Sequence, residues 1–138
     1  NAAGCSAYRH CRTNVVTVAI SSIDFICLVQ LGDVCTIQSR VVYCSHKTLE
    51  MEVRATVTCA RTIVNDLQDK FVAFGRFTFA SLNETGQAIA GPPLLLESDE
   101  DFERAFHGEQ RYVAAKKARE EERRLAKAKR EKALKSKL

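Results

Sequence analysis

Proline is nearly absent from this chain: there are two, side by side at Pro92-Pro93. Its six cysteines (Cys5, Cys11, Cys27, Cys35, Cys44 and Cys59) form no Cys-x-x-Cys pair, and His10, His46 and His107 lie far apart. Those spacings argue against a zinc site, so no metal is expected. No apolar run approaches the length of a membrane span. No secretory signal is readable, and the cysteines sit in apolar segments. Free, mostly buried thiols in a reducing compartment are therefore expected.

What is present is enough for one domain with an appendage: 138 residues, 46% of them apolar. Charge divides the chain unevenly. Residues 1–108 carry 9 Lys/Arg against 12 Asp/Glu, a balance of −3, while residues 109–138 carry 12 against 5, a balance of +7. A basic tail of this kind suits acidic partners or nucleic acid, or is plain solvated helix.

Ala2, Ala3, Gly4 and Ala7 predict a small-residue helix that lies close to a sheet, because Gly4 is poor for helix stability itself. Val15, Val16, Val18, Ile20, Ile23 and Phe25 predict a buried strand over 15–25. After a Leu31-Gly32-Asp33 turn, a second strand is expected over 34–45, with Cys35, Ile37, Val41 and Tyr43 on one face. The clearest alternation follows. Leu49, Met51, Val53, Ala55, Val57 and Cys59 point one way; Thr48, Glu50, Glu52, Arg54, Thr56 and Thr58 point the other. Residues 64–70 read as a polar connection, and a fourth strand as Phe71–Leu82 with Phe71, Ala73, Phe77 and Phe79 on one face. Asn83-Glu84-Thr85-Gly86 is a turn, and Gly91-Pro92-Pro93 a boundary. Ser98 and Asp101 resemble a capping box that starts a short helix over 99–107. Gly108 is expected to break it before a longer, solvated helix over 109–135. Opposite charges recur four apart along that helix, as at Lys116–Glu120 and Lys127–Glu131, but no apolar heptad is sustained. One helix followed by an antiparallel meander is an α+β arrangement.

Four blocks keep their order and spacing: Ala2-Ala3-Gly4 with Ala7 and Arg9-His10-Cys11; Leu31-Gly32-Asp33-Val34; Ser45 with Lys47-Thr48, Glu50 and Glu52-Val53; and the Phe71–Leu82 ending. Together they resemble the acyl-CoA thioesterases of the hotdog fold, in particular the brain-type cytosolic acyl-CoA hydrolase family. The resemblance implies a central helix wrapped by a curved antiparallel sheet. It assigns residues 1–90 to the hotdog domain, 91–98 to a linker and 99–138 to a charged helical tail. The implied activity is hydrolysis of fatty acyl-CoA to fatty acid and CoA, with CoA as part of the substrate and no separate cofactor. A non-catalytic acyl-CoA-binding or assembly subunit is the alternative.

The family's catalytic Asp aligns one position before Asn1, and its preceding strand and Gly-Gly loop precede that. A fragment, a processed form or an incomplete gene model is therefore expected. Asn1 is a weak substitute, since one step along a helix turns a side chain by about 100°. The resemblance places CoA contacts at Val18, Ala19 and Ile20, at Lys47, Thr48 and Leu49, and at Arg111. Arg9, His10 and Cys11 read instead as the end of the helix, where cations suit its dipole. Family active sites lie between two hotdogs, so a homodimer is implied, and the family also builds trimers of such dimers. The closing Ser136-Lys137-Leu138 matches the signal read by the peroxisomal import receptor, which in some protists serves the glycosome. A peroxisomal or glycosomal matrix is expected, with the cytoplasm as alternative. A nucleic-acid partner is not expected, because the tail carries five glutamates and no aromatic beyond Tyr112.

Overall fold

A computed structural model describes residues 2–58 and 69–136. Asn1, Cys59, most of the 64–70 connection and the final Lys137-Leu138 lie outside these. The elements are α1 (Ala2–Cys11), β1 (Asn14–Phe25), β2 (Val34–Cys44), β3 (Thr48–Thr58), β4 (Lys70–Leu82), β5 (Ala88–Ile89) and α2 (Asp99–Lys135). The sheet is antiparallel throughout, in the order β1-β4-β3-β2, with the short β5 on β4.

Small residues bring α1 onto the sheet as expected. Ala3, Ala7 and Cys11, spaced four apart, are buried, and Ala7 is 0% exposed. They close over Leu49, Met51 and Phe79, with Val15, Val41, Cys44, Val53 and Phe77 around them. Arg12 ends α1 at φ 58°, its N–H donating to the Tyr8 carbonyl at 2.8 Å. On the other side of α1, Ser39 Oγ donates to the Ala2 carbonyl at 2.9 Å and lies against Ser6 Oγ. The helix is thus tied to the sheet by one apolar stripe and one polar pin.

Two of the sequence expectations change parity because the strands slip register. Between Val41 and Tyr43 the pairing with β3 shifts, so Tyr43 leaves the face of Val41. Val41 packs with the α1 cluster, whereas Tyr43 meets Tyr112 of α2 at 5.8 Å between ring centroids. Likewise Ala55 pairs with Ala73 but Thr56 with Phe71, which turns Phe71 away from Phe77 and Phe79. The Arg54 guanidinium stacks over the Phe71 ring instead, at 5.1 Å.

β1 is not the buried strand that its apolar residues predict. It pairs with β4 alone, and its other edge has no strand among the described residues. Ile20 is 57% and Phe25 82% exposed. Nor are the cysteines mostly buried: Cys11 is buried and Cys44 half-buried, but Cys5, Cys27 and Cys35 are exposed.

Gly108 does not break the tail. α2 is one continuous helix, opened by the Ser98–Asp101 capping box. It lies on the sheet face opposite α1, and Gly108 is where it comes closest: a Cβ there would sit 2.5 Å from Tyr43 Cβ. Glycine is used for backbone approach rather than to end the helix. From Val113 to Ser136 every residue is exposed, as a solvated helix requires.

Candidate functional site

Two concavities flank β1, one on each face of the sheet. The larger is a groove of about 580 Å³ between α1 and β1, lined by Gly4, Cys5, Tyr8, Arg9, Val15, Thr17 and Phe79. Its floor is apolar because β1 turns Val15 towards Phe79 below the small-residue helix. Its rim carries Arg9 in the last turn of α1 and Gly4 in the first. Among the described residues, no carboxylate lines it.

The smaller is a cavity of about 60 Å³ beneath α2, bounded chiefly by Ser21, Thr48, Glu50, Thr78, Arg111 and Arg119. Glu50 points to the polar side of β3, yet it is only 8% exposed because α2 covers it. Arg111 grips its carboxylate with two nitrogens: Nε donates to Oε1 at 3.0 Å, and Nη2 donates to the same oxygen at 2.5 Å. Tyr43 and Tyr112 pack beside the pair.

Val18, Ala19 and Ile20 run between these concavities, from Thr17 in the groove to Ser21 in the cavity. Their stretch holds both register shifts of β1, between Thr17 and Ala19 and between Ile20 and Ser22. The shifts take Val18 and Ser21 out of the regular ladder, while Ala19 stays paired with Thr78 and Ile20 with Phe77. Lys47 is exposed in the β2–β3 turn. Thr48 is held by Ser45, whose Oγ accepts from the Thr48 N–H at 3.0 Å, and reaches the cavity. Leu49 is 3% exposed beneath α1, so its side chain is core. Arg111 and Thr48 are brought together; Lys47 and Leu49 diverge from them. Asn1 lies outside the described residues.

Sequence reasoning named Glu50, Tyr43 and Gly108 but gave none of them a place at the site. The alternation of β3 does put Glu50 on one face with Thr48, but nothing local says that a distant helix will cover it.

At the end of α1, His10 Nε2 donates to the Pro92 carbonyl at 3.1 Å and lies 3.5 Å from Cys44 Sγ. Burial, and secondarily the neighbouring Cys11, pushes the Cys44 thiol up to about 11. Ser81 Oγ donates to Cys11 Sγ at 3.0 Å. A thiol kept protonated by its surroundings is no nucleophile. This cluster fastens the segment after β5 to α1. Arg76 lies 3.6 Å from Glu52 and stacks on Phe74 at 4.6 Å.

Comparison with known proteins places these features in a family. Residues 1–58 match the model of the Thioesterase superfamily. The chain is 34% identical over 119 residues to the cytosolic acyl coenzyme A thioester hydrolase of Rattus norvegicus, covering 86% of this chain and 30% of that protein. It therefore spans about a third of the length of that relative. Among solved structures, the acyl-CoA hydrolase from Staphylococcus aureus in complex with butyryl coenzyme A, coenzyme A and coenzyme A disulfide superposes with a TM-score of 0.76 at 23% identity, over 91% of this chain and 74% of its own. An apo-hexameric acyl-CoA thioesterase gives a TM-score of 0.76 at 22% identity, over 84% and 72%.

Proposed function

Because the chain belongs to the thioesterase superfamily and has its hotdog fold, we propose that it is the acyl-CoA-handling part of a thioesterase that hydrolyses fatty acyl-CoA to fatty acid and CoA. The observation that carries this reading is the apolar groove beside α1 with the irregular stretch of β1 at its edge. An acyl chain has an apolar bed there. The amides of the pantetheine arm meet backbone groups at Val18, Ala19 and Ile20. Lys47 is an exposed cation for a phosphate, while Arg111 is engaged with Glu50 and contributes less.

In the reaction, water attacks the thioester carbonyl carbon and the carbonyl oxygen takes up negative charge. The C–S bond then breaks, and the CoA sulfur leaves with a proton. N–H groups of the first turn of α1 are oriented to stabilise a developing anion. Activation of the water falls to a carboxylate or amide side chain, and the described lining of the groove contributes Tyr8, Arg9 and Thr17 as its longer polar groups. No cofactor beyond substrate CoA enters this scheme.

The second reading, a non-catalytic acyl-CoA-binding or assembly subunit, uses the same groove and differs in the result expected of it, CoA retention without turnover. The open edge of β1 and its exposed apolar residues support pairing with a second hotdog, and trimers of such dimers suit the hexameric relative. Ser136-Lys137-Leu138 supports delivery to a peroxisomal or glycosomal matrix by the import receptor; a reporter ending in these residues that stays cytosolic would refute it.

Palmitoyl-CoA hydrolysis, followed by fatty acid mass spectrometry to avoid thiol dyes beside six cysteines, tests the activity. Turnover establishes the enzyme. CoA retention without turnover selects the binding subunit, and neither result leaves the groove with no role.

A further inference from the structure

Residues 113–136 of α2 are exposed, with Ala115 and Arg119 still bordering the cavity beneath the helix and the stretch beyond Arg119 lining none of the cavities described. On this stretch Lys116, Arg119, Arg123, Lys127 and Arg130 recur at intervals of three and four. At about 100° per residue they fall within an arc of about 80°, and at about 1.5 Å per residue they extend about 21 Å. Glu120, Glu121, Glu122 and Glu131 fall outside that arc. Among the described residues, none of the five cations closes an ion pair; the pairing seen on this stretch, Arg124 with Glu121 at 3.8 Å, lies on another side. Charge counted along the sequence disfavoured nucleic acid because of the glutamates. On one unbroken helix, those glutamates stand beside the basic stripe rather than within it.

We propose that this stripe docks on the phosphate backbone of a nucleic-acid duplex, without reading base sequence. Evenly spaced, unneutralised cations on a straight rod complement a regular line of phosphates. An anionic membrane fits less well, since an interfacial helix needs an apolar face. Here Val113, Leu125 and Leu134 point to different sides of the helix. An acidic protein surface fits less well too, because the stripe has no aromatic anchor. Single strands lack a stacking partner for the same reason.

The test uses the full chain and a fluorescein-labelled 24-base-pair DNA duplex, read by anisotropy. Five phosphate contacts give a log–log salt slope of about −4.5, a loss of about 500-fold between 50 and 200 mM salt. A triple charge reversal on the stripe (Lys116→Glu, Arg123→Glu, Lys127→Glu) is expected to abolish binding at 50 mM. The reversal Lys117→Glu, Arg124→Glu, Lys132→Glu changes net charge equally but lies off the stripe, and is expected to weaken binding at least tenfold less. Circular dichroism checks that both variants keep the helix. Equal losses in the two triples, no binding of wild type at 50 mM, or stronger retention by vesicles of anionic lipid than by duplex would each overturn the proposal.

Discussion

Glu50 shows how much one side chain's meaning depends on what lies above it. By alternation it belongs to a solvent face; in the fold it is covered, and two Arg111 nitrogens hold its carboxylate. Arg111→Ala leaves a buried charge without its partner, and the expected cost is about 2 kcal/mol, below that of a fully buried pair because Arg111 is 32% exposed. Replacing both residues with leucine should restore most of that loss, as measured by urea denaturation of the three variants. Cys44 gives a second test at this scale. Its folded pKa, near 11, lies above the ordinary thiol value of 9.0 because the thiolate is poorly solvated there. The stability tied to it is fully present below pH 9. As pH rises from 9 to 11 the unfolded thiol ionises first, so stability falls through that window. Tyr43, also pushed up, chiefly by burial, deepens the fall above pH 10. Denaturation from pH 8 to 11 should show a shallower decline in Cys44→Val than in wild type.

At the scale of elements, α2 depends on a start and a point of closest approach. Ser98→Ala removes the oxygen that accepts from the Asp101 N–H, at an expected cost of about 1 kcal/mol, visible as reduced helix signal and a lower melting temperature. Gly108→Ala would gain intrinsic helix propensity of about 1 kcal/mol. The new Cβ meets Tyr43 at its rigid Cβ, however, so α2 must shift off β2. A net loss of about 1–3 kcal/mol is expected, with altered tyrosine fluorescence at Tyr43–Tyr112. A gain in stability would show that α2 docks elsewhere. The strand periods were readable from residues: β3 begins where its alternation begins and β4 ends at Leu82 as its pattern predicts. The register slips at Val42 and Val72 were not, because a slip is set by the neighbouring strand and leaves no mark in its own alternation.

For the whole molecule, the sheet has an open β1 edge with apolar residues beside it. Sedimentation of wild type should show a dimer or larger, and Ile20→Lys with Ile23→Lys should shift it towards monomer without unfolding it, since both side chains are already about half exposed. A monomeric wild type would remove the case for a site shared between copies. The sequence by itself determined the order of elements, the small-residue helix, the capped basic tail and, by the spacing of four blocks, the hotdog family. These follow from local pattern, which each segment carries alone. Only the tertiary structure decided that β1 is an exposed edge, that Gly108 joins rather than breaks α2, and that Arg111 is bound to Glu50. Each of these depends on which distant surface arrives opposite, and burial is a property of the pair rather than of either partner.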